Sequence, residues 1–320
     1  MELYMTIADT IFSLSLDNNI RKYFIDRVSN LDSNPTRKAD VKVICDRRDD
    51  VPFTNEKFIH QQEPDISAEF FYREILDLGV FEYDRNEKVL KALYVDTDKY
   101  PFDSFEVVVD TLLQFIYLIM LDFEIIPLHA SVISYQNKAI LLFGNSGSGK
   151  TTLEIALLHS GFRFFADDIA FVDEKRLIHS SGEHVIACLH NTVNMINDNF
   201  NNNLIGAKYC DVTRKIIFNV EDNWISGNSE LVPFMLIFPT LSTDESLEKM
   251  SAKSAFVELI ELSVSKQFSV SHKQQYMKCL KELSESTIAV RYNRTNNNVN
   301  KIKEICSKIK TCCETSEVYS

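Results

Sequence analysis

The sequence predicts an α/β fold: a mixed sheet carrying a glycine-rich loop, preceded by a β-rich N-terminal region. Three observations predict it. Gly144-Asn145-Ser146-Gly147-Ser148-Gly149-Lys150-Thr151 has the form G-x-x-x-x-G-K-[ST], between a strand-length apolar run at 138–143 and a helical run at 152–159. Residues 128–135 and 138–143 are joined only by Gln136-Asn137, a connection short enough to make the two strands antiparallel neighbours. The first hundred residues hold several short alternating or apolar runs and no long helical period.

Composition sets the bounds. A chain of 320 residues with 45% hydrophobic and 25% charged residues is ordinary for a globular protein and long enough for two domains. A net charge of -12 opposes general nucleic-acid binding, which needs a basic surface. Seven cysteines with no C-x-x-C pair give neither a disulfide framework nor a zinc signature, which fits a cytoplasmic location. The N-terminus lacks a basic region and cleavage site, so no signal peptide is expected. The most lipid-like stretch, 105–123, carries Glu106, Asp110, Gln114 and Asp122, and its apolar run 115–121 is short. It is read as a buried helix, with no membrane partner.

In chain order, strand candidates are 7–16, 41–45 and 70–75, followed by a hairpin of 80–83 and 89–95 about the polar segment 84–88. The charge clusters 33–38 and 47–50 read as polar loops. Pro101 ends a loop, and Asp103 or Ser104 caps a helix running to about Asp122. The domain boundary is drawn here: 1–100 as the β-rich region and 101–320 as the domain carrying the loop.

In the glycine loop, backbone N–H groups curl round an anion, Lys150 reaches terminal phosphates, and the Thr151 hydroxyl suits Mg²⁺. The following helix points its N-terminal amides and positive dipole end at the same place. Gly161 ends that helix, 162–166 is a strand, and Asp167-Asp168 stand at its end before a second strand, 169–173. Paired carboxylates there suit metal ligation and proton abstraction, although an Asp-Asp pair also makes an ordinary turn.

Residues 191–203, dense in asparagine, read as an irregular loop or lid. Lys208, Arg214 and Lys215 are cations able to offset phosphoryl charge, or ordinary exposed ones. His184, Cys188 and His190 are discounted as a metal site, since no second cysteine stands at ligand spacing. Further on, 234–238 is a buried strand closed by Pro239. Helices are expected at 254–262, 266–283 and 300–309, with a strand at 288–292 and a frayed end after Cys313.

Residues 128–173 resemble the catalytic core of the HPr kinase family and its relatives, including kinases of lasso-peptide and other modified-peptide gene clusters. The resemblance rests on Leu128-His129-Ala130-Ser131, on Gly144 through Thr152, and on Phe162-Arg163-Phe164-Phe165-Ala166-Asp167-Asp168. A weaker similarity continues from Lys215 to Pro239. The resemblance implies a phosphoenolpyruvate-carboxykinase-like nucleotide fold, in which a hairpin precedes the phosphate loop, and phosphoryl transfer from ATP to a hydroxyl. It further implies that Gly144, Asn145, Ser146, Gly147, Ser148, Gly149, Lys150, Thr151 and Thr152 hold the nucleotide. Thr151 would then bind Mg²⁺, one of the two aspartates would act as base and the other as metal ligand, with Asp167 assigned as base and Asp168 as ligand or the reverse order, and His129 would orient or polarise that base. The family's Glu-Ile-Arg-Gly signature is absent, which weakens a reverse phosphorylase activity and HPr itself as acceptor.

The expectation is thus an ATP- and Mg²⁺-dependent kinase acting on a hydroxyl, foremost a serine of a peptide or small protein. A small-molecule kinase and a non-catalytic nucleotide-binding regulator are the alternatives. The resemblance also implies a homo-oligomer, though no heptad repeat supports one.

Overall fold

The computed structural model describes residues 2–49, 65–66, 70–75, 78–96, 103–190, 192–193, 208–210, 215–263, 270–295 and 299–315. The chain divides into two compact units, Met1–Ile125 with Ser265–Lys273, and Ile126–Val264 with Gln274–Ser320.

The first unit holds β1 (Leu3–Ile7), β2 (Thr10–Leu16), α1 (Asn18–Arg27), β3 (Leu31–Asp32), β4 (Val41–Arg47), β5 (Asp65–Ile66), β6 (Phe70–Ile75), β7 (Gly79–Asp84), β8 (Val89–Tyr94) and α2 (Ser104–Ile119). Its sheet runs β3-β1-β2-β4-β8-β7-β6-β5, with parallel pairing only at β2/β4 and β4/β8. The expected strand over 7–16 is two strands, because Ala8 and Asp9 take left-handed φ values of 45° and 67° and turn the chain back. Helix α1 has a weak apolar period, and its signal was the cap: Asp17 accepts from the amides of Asn19 and Ile20.

Helix α2 starts where expected, with Asp103 accepting from the amides of Phe105 and Glu106. Its α geometry ends at Ile119 and continues as one 3₁₀ turn, Met120–Phe123. The whole stretch Ser104–Phe123, with a mean hydropathy of 1.7, is long and apolar enough to cross a membrane, yet 72% of that window is buried within the protein. One helix face meets β7 and β8, where the Phe81 and Phe115 rings stand 5.9 Å apart. This apolar helix therefore belongs to the first unit, on the far side of the boundary drawn at residue 100.

The second unit holds β9 (Ile126–Leu128), β10 (Ser131–Tyr135), β11 (Lys138–Leu142), α3 (Lys150–His159), β12 (Arg163–Ala166), β13 (Ala170–Val172), β14 (Ile178–Ser180), β15 (Val185–Cys188), β16 (Lys208–Cys210), β17 (Lys215–Asn219), β18 (Glu230–Leu241), β19 (Ser246–Lys249), α4 (Ala252–Ser263), α5 (Val270–Ser286) from Gln274 onward, β20 (Ile288–Arg294) and α6 (Val299–Thr315). A nine-stranded mixed sheet follows the order β12-β10-β11-β18-β14-β13-β9, with β20 also on β18 and β19 on β20. The hairpin of β10 and β11 is antiparallel, as the Gln136-Asn137 connection requires, while β11 and β20 both pair parallel with β18. A separate three-stranded sheet runs β15-β17-β16.

Pro239 does not close its strand, contrary to expectation: β18 continues to Leu241. The reason is which edge the proline faces. Ile237, two residues earlier and on the same edge, accepts from the Phe143 amide, after which β11 gives way to the glycine loop. The missing N–H of Pro239 therefore points where no strand needs it. Helix α6 likewise outruns its expected end at residue 309, because Ile302, Ile305, Cys306, Ile309, Cys312 and Cys313 form one continuous buried stripe. Most of the loop expected at 191–203, the residues just before α5 and the Arg214 candidate lie outside the described residues.

Candidate functional site

The site is assembled at one end of β10 and β11, where the chain leaves the sheet. Leaving β11, the chain makes a turn in which the Ser148 amide donates to Asn145 O at 3.0 Å, then enters α3 at Gly149. Gly149 is the N-cap, at a φ of +107° that excludes a side chain without strain. It supplies no side-chain cap, so the first amides of α3 have neither an intrahelical partner nor a substitute from Gly149. Asn145, Ser146 and Gly147 are exposed, Ser148 and Thr151 are half-buried, and Lys150 and Thr152 are buried. Lys150 Nζ folds back to donate to Gly144 O at 2.6 Å, and burial lowers its proton affinity, partly restored by Asp168 and Asp167.

Asp167 and Asp168 occupy the step between β12 and β13. Asp168 takes a left-handed φ of 59°, a conformation Asp tolerates better than most residues. Its amide donates to Asp167 Oδ1 at 2.9 Å, so the ordinary Asp-Asp turn is present as well. Asp167 is 8% exposed and heavily held: Ser131 Oγ donates to Oδ1 at 2.7 Å and the Ala187 amide to Oδ2 at 3.2 Å. Burial, then the charge of Asp168, raises its pKa to about 7, against the pull of Ser131, Ala187 and Lys215. With three of about four acceptor positions filled, the carboxylate has one direction left in which to accept a proton.

His129, at the end of β9, is exposed along one edge. Its Nδ1 lies 3.0 Å from Asp168 O, and a carbonyl only accepts, so the proton sits on Nδ1 and Nε2 is the free nitrogen. Burial of its inner face and the neighbouring Lys150 lower its pKa. The imidazole thus holds the backbone of the turn. Of the three basic candidates, Lys215 reaches the site, with Nζ 3.8 Å from Asp168 Oδ2; Arg214 and the Lys208 side chain lie outside the described residues. His184 and His190 instead pair with rings, Phe164 and Tyr209 respectively.

No family model and no curated protein matches the chain. Among solved structures, the HPr(Ser) kinase/phosphatase from Coxiella burnetii aligns at 10% identity and a TM-score of 0.28, over 59% of this chain and 94% of that one. At that score and identity the likeness fixes neither fold nor site.

Three contributors to the site were not singled out from sequence. Ser131 was visible only as part of a run. Glu154 was the one charge after Lys150 in a helix whose run 153–158 is otherwise apolar, a signal that this stretch is buried on every side and that this carboxyl has a reason to be there. Arg294, at the end of β20, donates through Nε to Ser148 O at 2.8 Å and through Nη2 to Gly147 O at 3.1 Å. No local pattern links residues so far apart in sequence.

Proposed function

We propose that the chain is an ATP- and Mg²⁺-dependent kinase that transfers the γ-phosphate to a hydroxyl, foremost a serine of a peptide or small protein. The observation that carries this reading is one convergence: the uncapped amides of α3 and the Lys150 ammonium face the same region as a buried carboxylate with one free acceptor direction. The amides and ammonium suit an anion, and a proton affinity near neutrality suits a general base. Binding alone would not need the carboxylate.

In this reading the loop amides and Lys150 hold the phosphates. Asp167 takes the proton from the acceptor hydroxyl as the new O–P bond forms and the bond to the leaving ADP oxygen breaks. Lys215 offsets charge beside Asp168. His129 keeps the Asp167-Asp168 turn in place through Asp168 O. Mg²⁺ fits Thr151 and Asp168, hard oxygen donors that are half-buried rather than enclosed. Among the described residues no group of three His, Cys, Asp or Glu side chains could hold a metal ion. This suits an ion that keeps waters and phosphate oxygens as its other ligands and neutralises charge on the transferring group.

The test is transfer of labelled γ-phosphate from Mg²⁺-ATP into an extract of the cell that encodes the protein, resolved by mass. Wild type should label one species whose mass distinguishes peptide, protein and metabolite. Asp167→Asn should lower transfer by about a hundredfold or more while ATP still binds. Full transfer by Asp167→Asn, or loss of ATP binding in parallel, would sink the assignment.

A further inference from the structure

Glu154 has no role in the reading above, and its surroundings are unusual. It is 0% exposed, and neither carboxyl oxygen has a hydrogen-bond partner. It lies four residues after Lys150 and three after Thr151 on α3, and long helical side chains lean toward the helix N-terminus, here the glycine-loop end. Asp167, Asp168, Lys150 and the Ser131 hydroxyl all lie close enough to act on it. An ionised carboxylate buried without partners among two others is costly. Burial, reinforced by the charges of Asp167 and Asp168 and opposed by Ser131 and Lys150, raises its pKa well above the usual value; holding a proton relieves the cost of that burial and gives the group one O–H to donate.

Ser131 has a use for that donor. Its single hydrogen goes to Asp167 Oδ1, which leaves its oxygen lone pairs open. We propose that Glu154 is a positioning residue for Asp167, acting through Ser131: its O–H donates to Ser131 Oγ and fixes the serine hydrogen toward the carboxylate. The chain Glu154 to Ser131 to Asp167 then runs in one direction, and each bond polarises the next. No covalent step is involved. The proposal rests on Asp167 being the base of the kinase reading, but its hydrogen-bond content stands apart from any turnover.

The experiment compares wild type with Glu154→Gln, Glu154→Leu and Ser131→Ala, by infrared spectroscopy and by transfer kinetics. At neutral pH, in an Asp167→Asn background that removes the other carboxyl with a raised pKa, the protein should show the carbonyl stretch of a protonated carboxyl, absent when Glu154→Gln is added and shifted when Ser131→Ala is added. No acceptor is needed for this reading, so it survives a failure of the kinase assignment. With the acceptor identified, Glu154→Leu should lower kcat about tenfold with the KM for ATP unchanged, and Glu154→Gln, which keeps a neutral donor, should restore most of that loss. Equal thermal melting of the Leu and Gln variants separates this from misfolding. The proposal is overturned if the protonated-carboxyl band is missing or insensitive to Ser131→Ala. It is equally overturned if Gln is as damaging as Leu, which would mean that the charge is what matters.

Discussion

The two units spend their interiors differently. In the first, the described buried residues are aliphatic and aromatic, joined by the hydroxyls of Thr10, Ser13, Ser104 and Thr111 and by His272; acids and arginines stay at the margins. There they tie helices down, as Arg27 does with Asp110, and as Tyr23 does with Asp103 at 2.6 Å. In the second unit Lys150, Glu154, Asp167 and Glu183 are all buried. Consistent sequences avoid this, because each buried charge costs several kcal/mol unless paired. In the second unit Lys150, Glu154 and Asp167 gather where the proposed chemistry would take place, whereas the described core of the first unit is packing.

The largest test of that contrast lies in the first unit. Phe81 is 0% exposed and packs on Phe115. Phe81→Ala should destabilise the local structure by about 3–5 kcal/mol, read as faster hydrogen exchange of the β7 and β8 amides. The loss should be the same at pH 5 and pH 8, since no charge is involved. A cost below about 1 kcal/mol would mean that this sheet is not held by packing, and the contrast would break.

The second unit should respond to pH instead. Asp167 keeps its proton up to about 7 in the folded protein but loses it near 3.8 when unfolded. Between those values the folded state holds the extra proton, so stability falls as pH rises through the window and levels off above it. Each unit of displacement is worth about 1.4 kcal/mol, which makes the total of the order of a few kcal/mol. Asp167→Asn should flatten this part of the stability curve, measured by denaturant titration from pH 4 to pH 8, while transfer by the wild type should climb as pH passes about 7. A flat wild-type curve would mean that the carboxylate carries no such strain.

The same contrast explains what was legible in sequence. Elements fixed by local chemistry could be read: the β10–β11 hairpin from its two-residue connection, α3 from the glycine loop, and α2 from Asp103 and its apolar run. The long reach of β18 could not, because whether Pro239 ends a strand depends on which neighbour its edge faces. Of the candidate site, Lys150, Asp167, Asp168 and His129 were candidates because each is a polar residue at a motif position, and the structure places them near one another. The Ser131 and Ala187 contacts and the Arg294 clamp arise from tertiary register, which single-sequence periodicity does not carry.

Arg294 offers the smallest and most discriminating test. Its two hydrogen bonds end on carbonyls of the loop, not on its amides, and a side chain at Gly149 would overlap its Nε. The guanidinium therefore fixes the loop's outer turn and makes no hydrogen bond to its amides. Arg294→Met keeps much of the aliphatic stem and removes both bonds, each worth about 0.5–1.5 kcal/mol net. Nucleotide affinity should weaken by roughly five- to thirtyfold in an equilibrium titration, with the melting temperature lowered by about a few degrees. If affinity does not move, the loop is held by Gly144 and Lys150 alone. If affinity falls a thousandfold, Arg294 touches the nucleotide itself, and the second unit has one more charge committed to chemistry than the buried set reveals.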